Sequence, residues 1–311
     1  MNTNVTAFIK KMGPLIGLIL LFIIISSLNS SFLEFSNLKN LLRQVSINAI
    51  IAFGMTFVIL TGGIDLSVGS MLALASALMA DFIVGGMDPI AAIFAAGGIG
   101  IILGGINGLV IAYGKVAPFI ATLATMTIYR GATLVFTDGN PISGLTQSEA
   151  FHSFGQGNLL GLPVPAITMF LSFLILWFIL QKTSLGRRTY AVGGSEKVSF
   201  IAGININRIK IFAYALTGFL SALAGAIITS RLNSAQPTAG MGYELDAIAA
   251  VVLGGTSLAG GKGHIVGTLI GALIIGTLNN GLNILDVSSF YQQVVKGIVI
   301  LLAVLADRKK A

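Results

Sequence analysis

The stretch Gly255–His264, "GTSLAGGKGH", is the part of the sequence closest to a phosphate-binding loop. That loop requires glycine where this chain has Thr256, and serine or threonine where it has Gly263. Two histidines and no cysteine leave no ligand set for a cysteine-based or histidine-rich metal site. No stretch fits a dinucleotide fingerprint, a zincin helix or a nucleophile elbow. The sequence therefore predicts no catalytic residue, no metal and no cofactor. Energy for any uphill transport must come from an ion gradient or from a partner that hydrolyses nucleotide.

The composition indicates what kind of elements hold these residues. Hydrophobic residues make up 55% of the 311 positions and charged residues 9%, with a mean hydropathy of +0.93, which predicts an integral membrane protein. Continuous apolar runs without alternation favour helices over a barrel. The sequence therefore predicts an all-α polytopic membrane protein, a single domain over 1–311 with about ten transmembrane helices. The predicted spans are 12–31, 44–61, 66–85, 89–113, 117–137, 164–181, 210–230, 245–260, 265–285 and 290–306.

The basic residues predict the orientation of these spans. A net charge of +7 does not indicate nucleic-acid binding, because the basic residues separate apolar segments and form no stripe. With both termini in the cytoplasm, thirteen of the eighteen Lys and Arg residues fall on that side. The cytoplasmic loop then spans about 182–209 and the outer loop about 138–163. The similarity of "INGLVI" (106–111) to "NNGLNI" (279–284), in spans of opposite direction, suggests an inverted repeat.

Uncharged polar side chains inside the predicted spans are candidates for a substrate path. A neutral polyhydroxylated solute needs many hydrogen-bonding groups and few charges along its route. The same groups could instead join helices to one another. Lys296, the only charge well inside a span, could also extend its stem to the surface. The candidate path residues are Asn107, Thr122, Thr125, Asn279, Asn280, Asn283, Gln292 and Lys296.

Carboxylates suited to ion coupling are scarce in the spans. Asp65, in "LTGGIDLSVGS", follows two glycines and precedes an apolar run. This position predicts a helix N-cap at the cytoplasmic surface, and a gate is the alternative. An ion-driven carrier usually needs deep carboxylates or histidines, so this class of transporter is the less favoured one.

The cytoplasmic loop contains a predicted short helix. After "GRR" and Gly193–Gly194, interpreted as a flexible pair, Ser195 is placed to cap the helix, with Glu196 in its first turn. Gly203 is expected to end it. Its apolar ridge consists of Val198, Ile201 and Ala202. By pattern alone, this helix lies flat on the lipid surface or inserts into a groove of a cytoplasmic partner.

Five long motifs resemble one family of transport proteins. The similarity extends from about 13 to 310 and is weakest in the outer loop at 145–161. The sequence resembles the permease subunits of binding-protein-dependent ABC importers for monosaccharides, most closely those for ribose. The motifs are "FGMTFVILTGGIDLSVGSMLALASAL", "APFIATLATMTIYRGATLVFTDGNPI", "GRRTYAVGGSEKVSFIAGI", "SRLNSAQPTAGMGYELDAIAAVVLGGTSLAGGKGHIVGTLIGALIIGTLNNGLN" and "SSFYQQVVKGIVILLAVLADRKK".

The resemblance implies a transport subunit with no ATPase site of its own, in the bacterial cell membrane. Its expected partners are a cytoplasmic ATPase with two nucleotide-binding cassettes, an extracytoplasmic sugar-binding protein and a second permease copy. Ribose is the expected sugar, with other pentoses or hexoses as alternatives. The alternative function is an ion-coupled sugar carrier, and a channel or a scaffold protein is a more remote alternative. The resemblance assigns the short helix and its surroundings to ATPase docking. The docking residues are Gly186, Arg187, Arg188, Gly193, Gly194, Glu196, Lys197, Val198, Ile201, Ala202 and Gly203.

Overall fold

The structure is a computed structural model that describes the backbone of residues 3–145 and 149–308. Side chains are described for 12–145, 149–302, 304 and 305. Of the basic residues used to predict topology, Lys309 and Lys310 lie outside the described chain. Within these ranges the helices are α1 (Thr3–Leu28), α2 (Phe35–Leu60), α3 (Val68–Val84), α4 (Pro89–Ala112), α5 (Pro118–Thr137), α6 (Glu149–Gln156), α7 (Val164–Lys182), α8 (Ser184–Gly194), α9 (Glu196–Ile201), α10 (Ile206–Leu232), α11 (Tyr243–Leu253), α12 (Ile265–Ile284) and α13 (Ser289–Arg308).

The fold is that of an all-α polytopic membrane protein. Six of the described helices (α2, α4, α5, α7, α10 and α12) are long and apolar enough to cross a membrane. Shorter apolar stretches lie at Met12–Leu28, Val68–Val84 and Ser289–Leu302. The remaining elements are a 3-10 turn at Ser30–Leu33 and four two-residue strands, β1 (Ile142–Ser143), β2 (Asn158–Leu159), β3 (Leu162–Pro163) and β4 (Ser234–Ala235). Strand β1 pairs antiparallel with β4, and β2 pairs antiparallel with β3.

Helices α2 and α10 are largely buried at the centre of the molecule, and α4 packs along α10. Helix α4 packs on α10 through glycines, and a Cβ atom on either Gly100 or Gly218 would overlap the carbonyl oxygen of the other. In the sequence, glycines four residues apart, such as Gly100 and Gly104, predict that helix backbones approach closely, and the contact of α4 with α10 confirms this prediction. Successive contacts of Gly104 and Gly108 reach Tyr214 and Ile211, so α4 and α10 run antiparallel.

The directions of α4 and α12 can be read from side-chain contacts. Helix α2 also runs antiparallel to α10, since Gly54 meets Thr217 and Gly63 meets Tyr214. Helix α12 runs antiparallel to α2, since Thr56 Oγ1 lies 2.8 Å from Thr268 Oγ1 and Val45 meets Gly276. The two segments with similar sequences therefore lie on helices of opposite direction, as an inverted repeat would require.

Helix α11 differs from its prediction. A continuous span over 245–260 was expected, but the helix ends at Leu253, and Gly255 adopts a positive φ of 86°. Eleven residues rise about 16 Å, roughly half of the hydrocarbon thickness. Gly240, just before α11, packs against Gly69 in the first turn of α3. Helix α11 therefore begins inside the helix bundle, and the expectation of a full span there is wrong.

The segment predicted as an outer loop is partly structured. It contains β1, α6 and the hairpin of β2 and β3. Helix α6 packs on the end of α10, where Gly155 N donates to Ser230 Oγ at 2.8 Å. Gln156 Nε2 donates to the carbonyl of Arg231 at 2.8 Å. These bonds fix the segment over the end of α10.

Candidate functional site

Helix α8 lies at the end of the molecule where α2 ends and α10 begins. Its first turn is capped by Thr183 Oγ1, which accepts from Gly186 N at 3.4 Å. The interpretation of Gly193 and Gly194 as a flexible pair is wrong, since they are the last two residues of this helix. A Cβ atom at Gly193 would overlap the carbonyl oxygen of Leu60. The glycine therefore allows α8 to contact the end of α2.

Helix α9 forms as the sequence predicted. Ser195 Oγ accepts from Val198 N at 3.3 Å, which makes Ser195 the N-cap. Glu196 lies in the first turn, where its charge is favourable to the helix dipole. Gly203 follows the last turn with a φ of 77°, a backbone conformation that favours glycine. The cap, the first turn and the ending glycine are therefore confirmed.

The exposed surface of α9 is strongly apolar. Val198 is 64% exposed and Ile201 is 76% exposed, and Ala202 is exposed beside them. The sequence analysis missed Phe200, which is 74% exposed. Only Ser199 of this helix is buried. Because the helix is so short, only one narrow face packs on the protein. Apolar residues outside the predicted ridge, such as Phe200, are therefore exposed to solvent as well.

Charged side chains surround this apolar surface. Arg187, Arg188 and Lys197 are exposed. Glu196 forms an ion pair with Lys210 of α10 at 2.7 Å, and the exposed fractions of the two side chains are 52% and 17%. The pair connects the start of α9 to the first turns of α10. Gly194 and Gly203 are exposed as well, whereas Gly186 is buried.

Asp65 is buried, contrary to its prediction as an N-cap at the surface. Its exposure is 0%, and its Oδ1 accepts from Ser67 N at 2.9 Å and from Ser67 Oγ at 2.6 Å. Ser67, not Asp65, is the residue that precedes α3. Asn107 Nδ2 donates to Ser67 Oγ at 2.7 Å. The turn that carries Asp65 folds back into the bundle between α4 and α5, so the carboxylate lies in a buried polar cluster. The prediction that Asp65 is an N-cap at the surface is therefore wrong.

Lys296 is paired inside the bundle. Its Nζ lies 3.1 Å from Asp246 Oδ2 of α11, with exposed fractions of 28% for Lys296 and 6% for Asp246. Asn48 Nδ2 of α2 contacts the same oxygen at 3.4 Å. The expectation that the lysine stem extends to the surface is therefore wrong, because a buried carboxylate on α11 holds the ammonium group.

Comparison with known proteins shows the family. Residues 37–304 match a family described as the permease component of branched-chain amino acid transport systems. The chain belongs to this permease family. It is 69% identical over 302 residues to the ribose import permease protein of Bacillus subtilis (strain 168), covering 97% of this chain and 94% of the relative.

Two further relatives are named as permeases for ribose and for D-allose. The ribose import permease protein of Haemophilus influenzae is 55% identical over 308 residues, covering 98% of this chain and 95% of the relative. The D-allose transport system permease protein of Escherichia coli (strain K12) is 42% identical over 307 residues, covering 98% of this chain and 94% of the relative. No solved structure matches the chain.

The predicted path residues of this permease do not form one continuous group. Thr122 Oγ1 contacts the carbonyl of Ile64 at 3.2 Å, which places it beside the Asp65 and Asn107 cluster, and Thr125 Oγ1 donates to the carbonyl of Thr122 at 3.3 Å. Their assignment to a path stays a prediction.

The other predicted path residues lie on α12 and α13. Asn280 exchanges two hydrogen bonds with Asn37, of 3.1 and 3.0 Å. Gln292 Nε2 donates to Asn283 Oδ1 at 2.8 Å. Asn279 Oδ1 is buried without a hydrogen-bond partner among the described residues. The direct bonds show these amides joining elements, while a role in transport stays a prediction.

Proposed function

We propose that this permease is the transmembrane subunit of an ATP-driven ABC importer that carries D-ribose across the bacterial cell membrane. The observation that carries the proposal is the near full-length identity to ribose import permeases, which exceeds the identity to the D-allose permease. The choice of ribose over other sugars does not come from side chains that bind the sugar. It rests on the pattern of relatedness over the whole chain.

The partners follow from this assignment. We propose a cytoplasmic ATPase with two nucleotide-binding cassettes, an extracytoplasmic sugar-binding protein and a homodimer of the permease. The permease itself is then no enzyme, because its ATPase partner hydrolyses the nucleotide. Support for the ATPase surface comes from α9, an exposed apolar helix with basic residues nearby.

The orientation belongs to the same proposal. Lys115, Arg208 and Lys262 lie at the ends of helices that meet beside α8 and α9, and we assign this end to the cytoplasm. Both termini are then cytoplasmic, with ten membrane segments of which α11 crosses only part of the depth. The opposite directions of α4 and α12 support an inverted repeat.

In the proposed mechanism, helix α9 transmits the motion of the ATPase to the membrane helices. Val198, Phe200 and Ile201 would enter a groove of the ATPase, and closure of the cassettes on ATP would move α9. Because Glu196 of α9 is paired with Lys210, that motion reaches α10. Helix α10 packs closely on α4 and α2, so its shift would change the arrangement of the central helices between inward-open and outward-open states.

Ribose uptake in proteoliposomes tests the function. We expect labelled ribose to enter vesicles that contain the permease, the ATPase, the binding protein and ATP. Vesicles with a non-hydrolysable ATP analogue or without the ATPase should show no uptake. Uptake by the permease alone that collapses with an uncoupler would instead establish an ion-coupled carrier. An importer that takes D-allose but not ribose would overturn the choice of sugar.

Exchanging the charges of Glu196 and Lys210 tests the connection between α9 and α10. We expect Glu196→Lys and Lys210→Glu to lower ribose uptake per ATP hydrolysed several-fold, because each places like charges together. The double variant should recover much of that ratio, although a half-exposed pair contributes only about 1 kcal/mol or less to stability. The uptake and hydrolysis rates are measured on the same vesicles. A double variant no better than the single ones would contradict the connection.

A further inference from the structure

A cavity opens between α3, α5 and the start of α11. Its volume is about 390 Å³, within the range of small-molecule sites. Helix α11 begins at this cavity, after the chain has returned into the bundle. Most of its surface is apolar and comes from residues such as Met126, Leu134 and Met241, while the polar groups come from Ser70, Thr127, Arg130, Gly242 and Glu244.

Arg130 and Glu244, the two charged groups of the cavity, are partly buried and lie at membrane depth, so the expectation that Lys296 is the only charge well inside a span is wrong. Pro118 to Arg130 spans twelve residue steps of α5, a rise of about 18 Å. Helix α5 is long and apolar enough to cross a membrane, so the guanidinium group lies within its spanning part. Glu244 lies in the first turn of α11 on the facing wall. Charged groups at such depth are costly when they face lipid.

Both charged groups keep hydrogen-bonding capacity that the protein does not use. Arg130 Nη1 donates to the carbonyl of Pro237 at 2.5 Å, and Glu244 Oε1 accepts from Gly242 N at 3.2 Å. Arg130 and Glu244 attract each other across the cavity. They do not form a direct ion pair, since the ion pairs within the described residues are Lys210–Glu196 and Lys296–Asp246. A guanidinium group has five N–H donors, and a carboxylate accepts about four hydrogen bonds.

We infer that this cavity is a contact site for the sugar on its route through the permease, which rests on the proposed function. The Arg130 guanidinium donates to sugar hydroxyls and the Glu244 carboxylate accepts from them, while Met241 contacts the C–H face of the ring. The site binds weakly, since specificity resides in the binding protein and the sugar must leave again.

The opening of the cavity indicates which surface faces the path. Thr127, Leu134 and Met241 at its edge are exposed, so the cavity opens to the side of the single subunit. Lipid at this opening would meet both charges. A water-filled path between two permease copies avoids that cost, and the cavities of the two copies face it from both sides.

The absence of cysteine from the sequence allows a direct test. Thr127→Cys and Met241→Cys place thiols on the cavity, whereas Ile128→Cys is a control on the neighbouring residue of α5. Ile128 is 62% exposed but does not line the cavity. We expect a charged, membrane-impermeant thiol reagent to label the cavity thiols at least about tenfold faster than the control in the assembled importer. A thiol in hydrocarbon stays protonated and is out of reach of the reagent.

Protection of the cavity thiol by ribose, and the effect of Glu244→Gln on uptake, complete the test. Ribose delivered by the binding protein should slow labelling of Thr127→Cys, and Glu244→Gln should raise the KM for uptake without loss of assembled complex. Equal labelling of cavity and control thiols, or labelling that ribose leaves unchanged, would overturn the site. If the wild-type importer takes up ribose, such a result refutes only the site; if the wild type takes up none, the proposed function itself fails.

Discussion

Ribose uptake falls by at least about 100-fold when Val198 and Ile201 are both replaced by aspartate, a loss of roughly 3 kcal/mol or more of docking free energy. Both side chains are mostly exposed in the single subunit, so the permease itself should fold and insert normally. In the docked state each carboxylate would be buried in an apolar groove without a partner, which costs several kcal/mol. Co-purification of the ATPase with the permease and uptake of labelled ribose measure the effect.

The control keeps the surface apolar. Val198→Leu together with Ile201→Leu should retain most uptake, because both changes preserve hydrophobic area on α9. The amount of membrane-inserted permease is compared for both double variants. Normal uptake by the aspartate variant would contradict docking through α9, and loss of the inserted protein would indicate that the surface serves folding instead.

Lys296→Met destabilises the permease by about 3–5 kcal/mol, because it leaves the carboxylate of Asp246 buried without its cation. Among the described residues, Asn48 is then the remaining hydrogen-bond partner of that oxygen, at 3.4 Å. The reverse change, Asp246→Asn, should cost less, since Lys296 is more exposed than its partner and can reach water through its long stem. Thermal unfolding in detergent measures the difference.

The double variant Lys296→Met with Asp246→Asn separates pairing from packing. Removing both charges should recover most of the stability, because no ion is then left unpaired. A double variant as unstable as Lys296→Met would show that the lysine stem, and not the ion pair, holds α13 on α11. Ribose uptake by the recovered double variant reports whether the charges also serve transport.

The sequence predicted the parts of the site that depend on local rules. Ser195, Glu196 and Gly203 occupy the cap, first turn and end of α9 because these preferences act within a few residues. Gly100 and Gly104 likewise predicted close helix packing, which the contact with α10 confirms. Helix α8 was missed because its two final glycines disfavour a helix locally, and packing against Leu60 stabilises the helix instead.

Composition and the spacing of apolar runs were enough to predict a helical membrane protein, and capping rules placed α9, because hydrophobicity and capping are properties of short segments. The family was indicated by the resemblance of five long motifs. Tertiary structure alone decided that α11 stops after eleven residues, that Asp65 is buried and that Lys296 faces Asp246. These outcomes depend on contacts between residues far apart in the chain. A buried charge or a shortened helix is stable only with partners that other helices bring to it.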